Sequence, residues 1–64
     1  MSSDEDQLAW LVHALRTPLT IVEGFADALV HRGEQLSDEE RVEYLQRIGE
    51  AAREMRDLLD GARR

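Results

Sequence analysis

A histidine, a threonine and a proline stand close together in the heptapeptide His-Ala-Leu-Arg-Thr-Pro-Leu, positions 13–19 of this 64-residue chain. Neutral imidazole is a competent nucleophile near pH 7, because its unperturbed pKa of about 6.5 leaves one ring nitrogen with a free lone pair. Thr17 follows His13 by four residues, which is one helical turn. Pro18 costs about 3 kcal/mol inside a helix and leaves the Ala14 carbonyl without its amide donor. A short chain that accepts this cost beside its imidazole indicates chemistry at His13.

Two amphipathic helices are expected to position these residues, because apolar residues recur at intervals of three and four and no alternating run typical of a strand occurs. The first stripe consists of Leu8, Val12, Leu15, Leu19, Val22, Ala26 and Leu29, with Leu11 and Phe25 on one flank. The second consists of Leu45, Ile48, Ala52, Met55, Leu59 and Ala62, flanked by Tyr44, Ala51 and Leu58. We predict helices over about 4–32 and 38–61, joined by a loop at 33–37.

Start and stop signals support these limits. Gly33 is a natural end for the first helix, and Arg63 and Arg64 suit the negative end of the second. The run from Ser37 to Glu40 predicts a capping box, in which the serine caps the second helix and the glutamate reaches back to it.

The short connection predicts that the two helices lie antiparallel. One hairpin leaves its apolar stripes half covered, whereas two hairpins form a bundle with a closed core. We therefore predict an all-α fold, an antiparallel two-helix hairpin that homodimerises into a four-helix bundle. With 64 residues the chain makes one domain near the lower size limit for independent folding, so the isolated monomer should be marginal.

Composition restricts the possible functions. The formal net charge of −6 disfavours nucleic acid and anionic membrane surfaces, which need clustered Lys or Arg. No run approaches the roughly 20 apolar residues that span a bilayer, and the first residues form no signal peptide. The chain has no cysteine and only two histidines, so neither a disulfide nor a metal site is expected. We expect a soluble, cytoplasmic domain without direct membrane contact, in a parent protein that could itself be membrane-anchored.

The helical wheel places the reactive residues away from the first stripe. At 100° per residue, His13 lies about 140° from the centre of the stripe, and Thr17 only about 40° from His13. An exposed imidazole that two protein surfaces can reach in turn suits phosphoryl transfer. His31 shares this outer face but has no comparable surroundings, and we interpret it as a surface residue. Trp10 also falls outside the stripe, where it could mark a contact surface or simply pack against neighbouring side chains.

The heptapeptide resembles the phosphoacceptor box of sensor histidine kinases, usually written His-Glu-Leu-Arg-Thr-Pro-Leu, with six of seven positions matching. The flanking Thr20, Ile21 and Gly24, and the late run 58–63, are also similar to the dimerisation and histidine-phosphotransfer domain of that family. The resemblance spans nearly the whole chain.

This resemblance implies that His13 receives the γ-phosphate of ATP from a separate ATP-binding domain of the parent protein. It then passes the phosphoryl group to an aspartate of a response-regulator receiver domain. By the same resemblance, Arg16 belongs to the box and Thr17 orients a water molecule for phosphatase activity. Pro18 would allow a bend that switches the two activities. ATP and Mg²⁺ belong to the missing ATP-binding domain and the receiver, so this fragment should bind no cofactor and be inactive with ATP alone.

The receiver footprint is expected on the outer surface between the histidine and the loop. Its residues would be Ile21, Gly24, Asp27, Ala28 and Arg32. Gly24 removes side-chain bulk where a partner helix could approach, although it could equally serve packing alone.

Ala14 departs from the family pattern, since it replaces the acidic residue thought to act as a general base or to orient the imidazole. General-base assistance is typically worth about 10²- to 10⁴-fold, so its loss would slow autophosphorylation and favour phosphatase or relay work. Two alternatives remain open: a non-catalytic dimerisation scaffold from a degenerate kinase, and a stand-alone histidine phosphotransfer protein. An RNA-binding hairpin is least favoured by the acidic charge.

Overall fold

The computed structural model describes residues 3–62 of the chain. Helix α1 spans Ser3–Arg32, a short 3-10 turn spans Gly33–Gln35, and helix α2 spans Asp38–Ala62. No strand occurs within these residues, which confirms the predicted all-α hairpin. The predicted helix limits differ from these bounds by one residue at the start of α1 and the end of α2. Arg63 and Arg64, assigned to the end of the second helix, lie outside the described residues.

The two helices run antiparallel along an elongated body of 51 × 18 × 10 Å. Near the loop, Phe25 of α1 contacts Tyr44 of α2, with ring centroids 4.9 Å apart and ring planes at 58°. At the open end, Trp10 of α1 shares a cleft with Leu58 and Gly61 of α2. The aromatic contact and the shared cleft show which residues of the two helices lie level with one another.

Pro18 lies at the centre of the contact between the helices. Its side chain is less than 2% exposed and is the largest fully buried one in the described part of the chain. On α2, Ala51 is 4% exposed, so a small side chain lies at the middle of that helix as well. Helix α1 continues through Pro18 without interruption. The sequence assigned Pro18 only a bend, whereas the structure also gives its ring a packing role.

The connection between the helices is held by the predicted capping box. The backbone N–H of Ser37 donates to Glu40 Oε1 at 2.9 Å, and the Glu40 N–H donates to Ser37 Oγ at 3.1 Å. Hydrogen bonds from the backbone and then the side chain of Ser37 hold the pKa of the Glu40 carboxyl below its ordinary value. Gly33 starts the 3-10 turn, and no residue in 3–62 has a positive φ, so this glycine is not needed for left-handed backbone.

The apolar stripes of the two helices are only partly covered. Leu15, Val22, Ile48 and Met55 are half-buried between the helices. Four leucines on the adjoining edge are exposed by 44–63%, namely Leu8, Leu19, Leu45 and Leu59. The hairpin thus covers one edge of each apolar stripe and leaves the other edge exposed. This exposed apolar face is consistent with the homodimeric four-helix bundle, which stays a prediction.

Candidate functional site

The reactive residues of the heptapeptide lie on the surface of α1, in the turn before the buried proline. His13, Arg16 and Thr17 are all exposed, and Ala14 is half-buried at the edge of the contact with α2. Within residues 3–62, no hydrogen bond or ion pair engages the His13 ring. The exposed imidazole is therefore accessible from outside the hairpin.

The anchoring of this turn comes from the residue that follows it. The ring of Pro18 is enclosed against α2, so the backbone directly after Thr17 is fixed by packing. The histidine lies five residues before Pro18, about 140° round the helix from it. The buried ring of Pro18 on one side of α1 therefore fixes the backbone that carries the exposed imidazole of His13 on the other side.

Two threonines in this segment differ in what their hydroxyls do. Thr20 Oγ1 donates a hydrogen bond of 2.8 Å to the Arg16 carbonyl oxygen, so this hydroxyl is engaged by its own helix. In the described part of the chain, the Thr17 hydroxyl has no such bond. The Thr17 hydroxyl can therefore donate its proton to a water molecule one turn from His13, whereas the Thr20 hydroxyl already donates its proton to the helix.

The charges around His13 are cationic or absent in its own turn. Arg16 is exposed and, among residues 3–62, forms no ion pair, so its guanidinium is available to an anion beside the histidine. Ala14 supplies no carboxylate, and the residues one turn from His13 are Ala9, Trp10, Arg16 and Thr17. The local sequence thus favours binding of a phosphoryl group more than removal of a proton from the ring.

A cleft of about 380 Å³ lies between His13 and the loop, and we call it the loop-side cleft. Its lining comprises Thr20, Ile21, Gly24, Phe25, Ala28, Arg32 and Tyr44. Four of the five residues predicted for the receiver footprint are therefore brought together, and Asp27 is not among them. Ala28, which was predicted on the outer surface, is instead buried in the hairpin. The Asp27 carbonyl oxygen instead lies 3.0 Å from His31 Nδ1. Sequence reasoning missed Tyr44, whose helix supplies the far wall; only the register between Phe25 and Tyr44 could have indicated it.

Gly24 opens the floor of the loop-side cleft. A Cβ atom built at Gly24 meets nothing within 4 Å inside the hairpin, so close packing within this hairpin does not require the glycine. Glycine in a helix interior costs roughly 1 kcal/mol relative to alanine. Packing within the hairpin therefore gives no reason for a glycine here.

A second cleft, of about 350 Å³, lies at the open end of the hairpin. It is lined by Gln7, Trp10, Asp57, Leu58, Gly61 and Ala62. Trp10 is 59% exposed and lies one turn before His13, so both clefts flank the histidine along α1. The sequence left the role of Trp10 open, and the structure shows that it forms a wall of this cleft.

Within residues 3–62, no group of three or more His, Cys, Asp or Glu side chains could hold a metal ion. In the same part of the chain, neither helix is long and apolar enough to cross a bilayer.

The sequence pattern of the His Kinase A (phospho-acceptor) domain family matches residues 3–63. The chain belongs to this family, whose members are the dimerisation and phosphoacceptor part of histidine kinases in two-component signalling. Domains of this family generally homodimerise within histidine kinases. No curated protein and no solved structure shows significant similarity to the chain.

Proposed function

We propose that His13 is the phosphoacceptor of a sensor histidine kinase and that this domain relays its phosphoryl group to a response regulator. The observation that carries the proposal is the unengaged, exposed His13 ring beside the buried ring of Pro18. A surface that several partners must reach has to be exposed, and it has to be held in place while they exchange. The open face of the hairpin would be closed by a second copy.

In the proposed first step, the lone pair of a His13 ring nitrogen attacks the γ-phosphorus of ATP. The bond from that phosphorus to the bridging oxygen breaks, ADP leaves with the electron pair, and the ring releases its proton to solvent. A separate ATP-binding domain of the parent protein would supply ATP and Mg²⁺, so this chain alone would not use ATP. Arg16 would bind the incoming phosphoryl oxygens through its guanidinium, which is unpaired within residues 3–62.

In the proposed second step, a receiver domain docks in the loop-side cleft and its aspartate takes the phosphoryl group. The exposed Ile21 and Arg32 would supply an apolar and a cationic contact, and Gly24 would admit a partner side chain. The cleft begins less than three turns from His13, so a domain that sits in it can also reach the imidazole.

Phosphatase activity is proposed to depend on Thr17. Its hydroxyl makes no bond to the helix, so it can hold the water that hydrolyses the phosphorylated aspartate of the receiver. Pro18 is proposed to let α1 bend after the histidine and so to switch between the two activities. If Pro18→Ala in the parent kinase left both activities and their response to signal intact, this switch would be wrong.

The proposal is tested by charging the domain with phosphoramidate and mixing it with receiver domains of the source organism. We expect rapid loss of the label from the domain and its appearance on the aspartate of one receiver. His13→Ala should carry no transferable phosphate. A folded dimer that accepts phosphate on His13 but yields it to no receiver would contradict the relay.

The docking surface is tested with two glycines that are matched inside the hairpin. A Cβ atom meets nothing within 4 Å at either Gly24 or Gly61, so a side chain at each site begins in open space, and circular dichroism checks that both leucine variants fold. Gly24→Leu should slow transfer to the receiver by tenfold or more, about 1.4 kcal/mol, because it fills the loop-side cleft. Gly61→Leu should not change that rate. Equal rates for the two variants would place the receiver elsewhere.

A second candidate is a dimerisation scaffold that carries no phosphate. The observation that favours it is Ala14, which leaves His13 without a carboxylate one residue away. Under this alternative the domain dimerises, but His13 stays unmodified with every donor. The charging experiment therefore separates the two functions directly.

A further inference from the structure

The open face of α2 carries one charged residue in an otherwise apolar seam. Residues spaced alternately by four and three share this face, and they are Leu45, Gly49, Ala52, Arg56 and Leu59. The two leucines are 58% and 47% exposed, and a Cβ atom at Gly49 would meet nothing within 4 Å inside the hairpin. A charge in such a seam is costly unless an opposite charge or a polar ligand meets it.

Arg56 has no such partner inside the hairpin. Within residues 3–62, the ion pairs are Arg41 with Asp38 at 2.6 Å and Arg47 with Glu43 at 3.9 Å. Neither pair includes Arg56, and its side chain is exposed. An arginine left unpaired at the edge of a face that a second copy would cover can bind an anion supplied by that copy.

The register of the hairpin places Arg56 at the height of His13. Trp10 shares its cleft with Leu58 on α2, and Phe25 contacts Tyr44 nearer the loop. Because the helices are antiparallel and rise equally per residue, His13 lies level with the turn that holds Arg56.

Within one hairpin, however, the two side chains point apart. His13 lies five residues from the buried Pro18, and Arg56 lies five residues from the buried Ala51. Each is therefore about 140° round its own helix from the contact line. His13 projects from one side of the hairpin, while Arg56 belongs to the open leucine face.

A second copy brings the missing partner. In a two-fold bundle with both loops at one end, α2 of one copy lies beside α1 of the other at about 8–10 Å. The open leucines of α2 then meet Leu8 and Leu19 of the second copy. Arg56 lies in the groove between these helices, level with the His13 of the second copy and on the outer side where that ring emerges.

We propose that Arg56 binds the phosphoryl group on the His13 of the other copy, so that each phosphoacceptor site is completed across the dimer. This inference rests on the proposed function. A guanidinium presents a planar fork of donors that matches phosphoryl oxygens, and it remains charged at every physiological pH. Arg56 and the Arg16 of the phosphorylated copy then flank the group, which offsets the repulsion of a dianion by a chain with net charge −6.

The test uses phosphoramidate, which needs no second domain. The ring lone pair forms the new N–P bond, and the P–N bond of the donor breaks. Ammonia leaves with that electron pair and takes up the proton that the ring releases. We expect Arg56→Gln and Arg56→Met to slow charging of His13 about fivefold, and Arg56→Lys to retain most of the rate. Arg47→Gln, which removes an arginine from another face of α2, should charge at the wild-type rate.

Dimerisation is measured on the same samples by sedimentation, because a purely structural role predicts a different pattern. Methionine in an apolar seam should keep or strengthen the dimer. A dimeric Arg56→Met variant that charges slowly therefore supports a role at the phosphoryl group. A dimeric Arg56→Met variant that charges at the wild-type rate would overturn the proposal.

Mixed dimers, purified through two different tags, show which copy supplies the arginine. A dimer of His13→Ala with Arg56→Gln has one reactive histidine, and it faces an intact arginine, so the wild-type rate per histidine is expected. In a dimer of wild type with a copy that carries both His13→Ala and Arg56→Gln, the one reactive histidine faces glutamine, so the slow rate is expected. The reverse order, or equal rates, would overturn the assignment across the dimer. If wild-type His13 itself is not charged, the proposed function fails instead.

Discussion

Two histidines lie on the same outer face of α1, 18 residues apart, and their surroundings differ. His31 lies in the last turn of the helix, with Nδ1 3.0 Å from the Asp27 carbonyl oxygen. In the tautomer with a proton on Nδ1, that nitrogen donates to its own helix. The ring of His13 makes no bond within residues 3–62 and lies in the turn before the buried Pro18.

Both histidines are exposed, so the proposal that His13 is the phosphoacceptor depends on its surroundings. Within two turns of His13 lie the buried ring of Pro18, the unpaired guanidinium of Arg16 and the unbonded hydroxyl of Thr17. Around His31, the neighbouring structure is the connection capped by Ser37 and Glu40, which secures the hairpin. The polar side chains around His13 are thus unengaged within residues 3–62, whereas His31 adjoins the connection that closes the hairpin.

The largest effect is expected from the two threonines near His13. Thr17→Val should slow dephosphorylation of a phosphorylated receiver by about 10²-fold, because the positioned water is lost. Thr20→Val removes a hydroxyl that is already bound to the Arg16 carbonyl, so its rate should stay near that of wild type. The rates are measured by release of labelled phosphate from the receiver. If dephosphorylation slowed equally in both variants, the hydrogen bond of Thr20 would not distinguish the two hydroxyls.

The variant Pro18→Ala tests whether the proline lowers the stability of the hairpin and is kept for its function. Alanine relieves about 3 kcal/mol of helix cost, and the smaller side chain loses about 2 kcal/mol of burial. The free energy of unfolding should therefore rise by about 1 kcal/mol, measured by urea denaturation at fixed dimer concentration. If the free energy of unfolding instead falls by about 1 kcal/mol, the main role of Pro18 is packing. The contrast between the surroundings of His13 and those of His31 would then be weaker.

At the opposite end, Ser37→Ala should lower stability by about 1 kcal/mol, because it removes the cap of α2. Charging of His13 should not change, since the capping box lies at the far end of the hairpin. Urea denaturation and phosphoramidate charging are run on the same preparation. A charging rate that falls with the cap would show that the two ends are coupled.

The smallest effect concerns pH. The pKa of Glu40 is lowered from its ordinary value of 4.5 by hydrogen bonds from Ser37, so its contribution to stability is present above that pH. The contribution is lost as the pH falls from about 4.5 through the lower pKa of the folded state. Glu40→Gln should remove this part of the acid sensitivity, measured as the difference in unfolding free energy between pH 7 and pH 3. An unchanged difference would mean that the carboxylate is not held by the cap.

Much of this architecture could be predicted from the sequence, because it depends on local signals. The capping box at Ser37 and Glu40 is a short-range pattern, and its two hydrogen bonds are as predicted. The outer position of His13 follows from helical geometry. The burial of Pro18 was missed, because the sequence suggested a bend and gave no direction for the ring. The difference between Thr17 and Thr20 depends on side-chain rotamers, which no spacing reveals.

The loop-side cleft shows the same limit on a larger scale. Ile21 and Gly24 were predicted from α1 alone, but the opposite wall comes from Tyr44 on α2. That wall depends on the register of the two helices, which the length of the connection does not determine. The role proposed for Arg56 depends on a second copy of the chain. It could be inferred only once the structure showed which residues of each apolar stripe are buried and which are exposed.

The central claim is that His13, and not His31, carries the phosphoryl group, and mass spectrometry of the domain charged with phosphoramidate tests it most directly. Proteolysis after Arg16 separates the two histidines into different peptides, and mild fragmentation that preserves the N–P bond assigns the site. The account predicts a single phosphate on His13, absent in His13→Ala and unchanged in His31→Ala. Phosphate divided equally between the two histidines, or found on His31 alone, would contradict it.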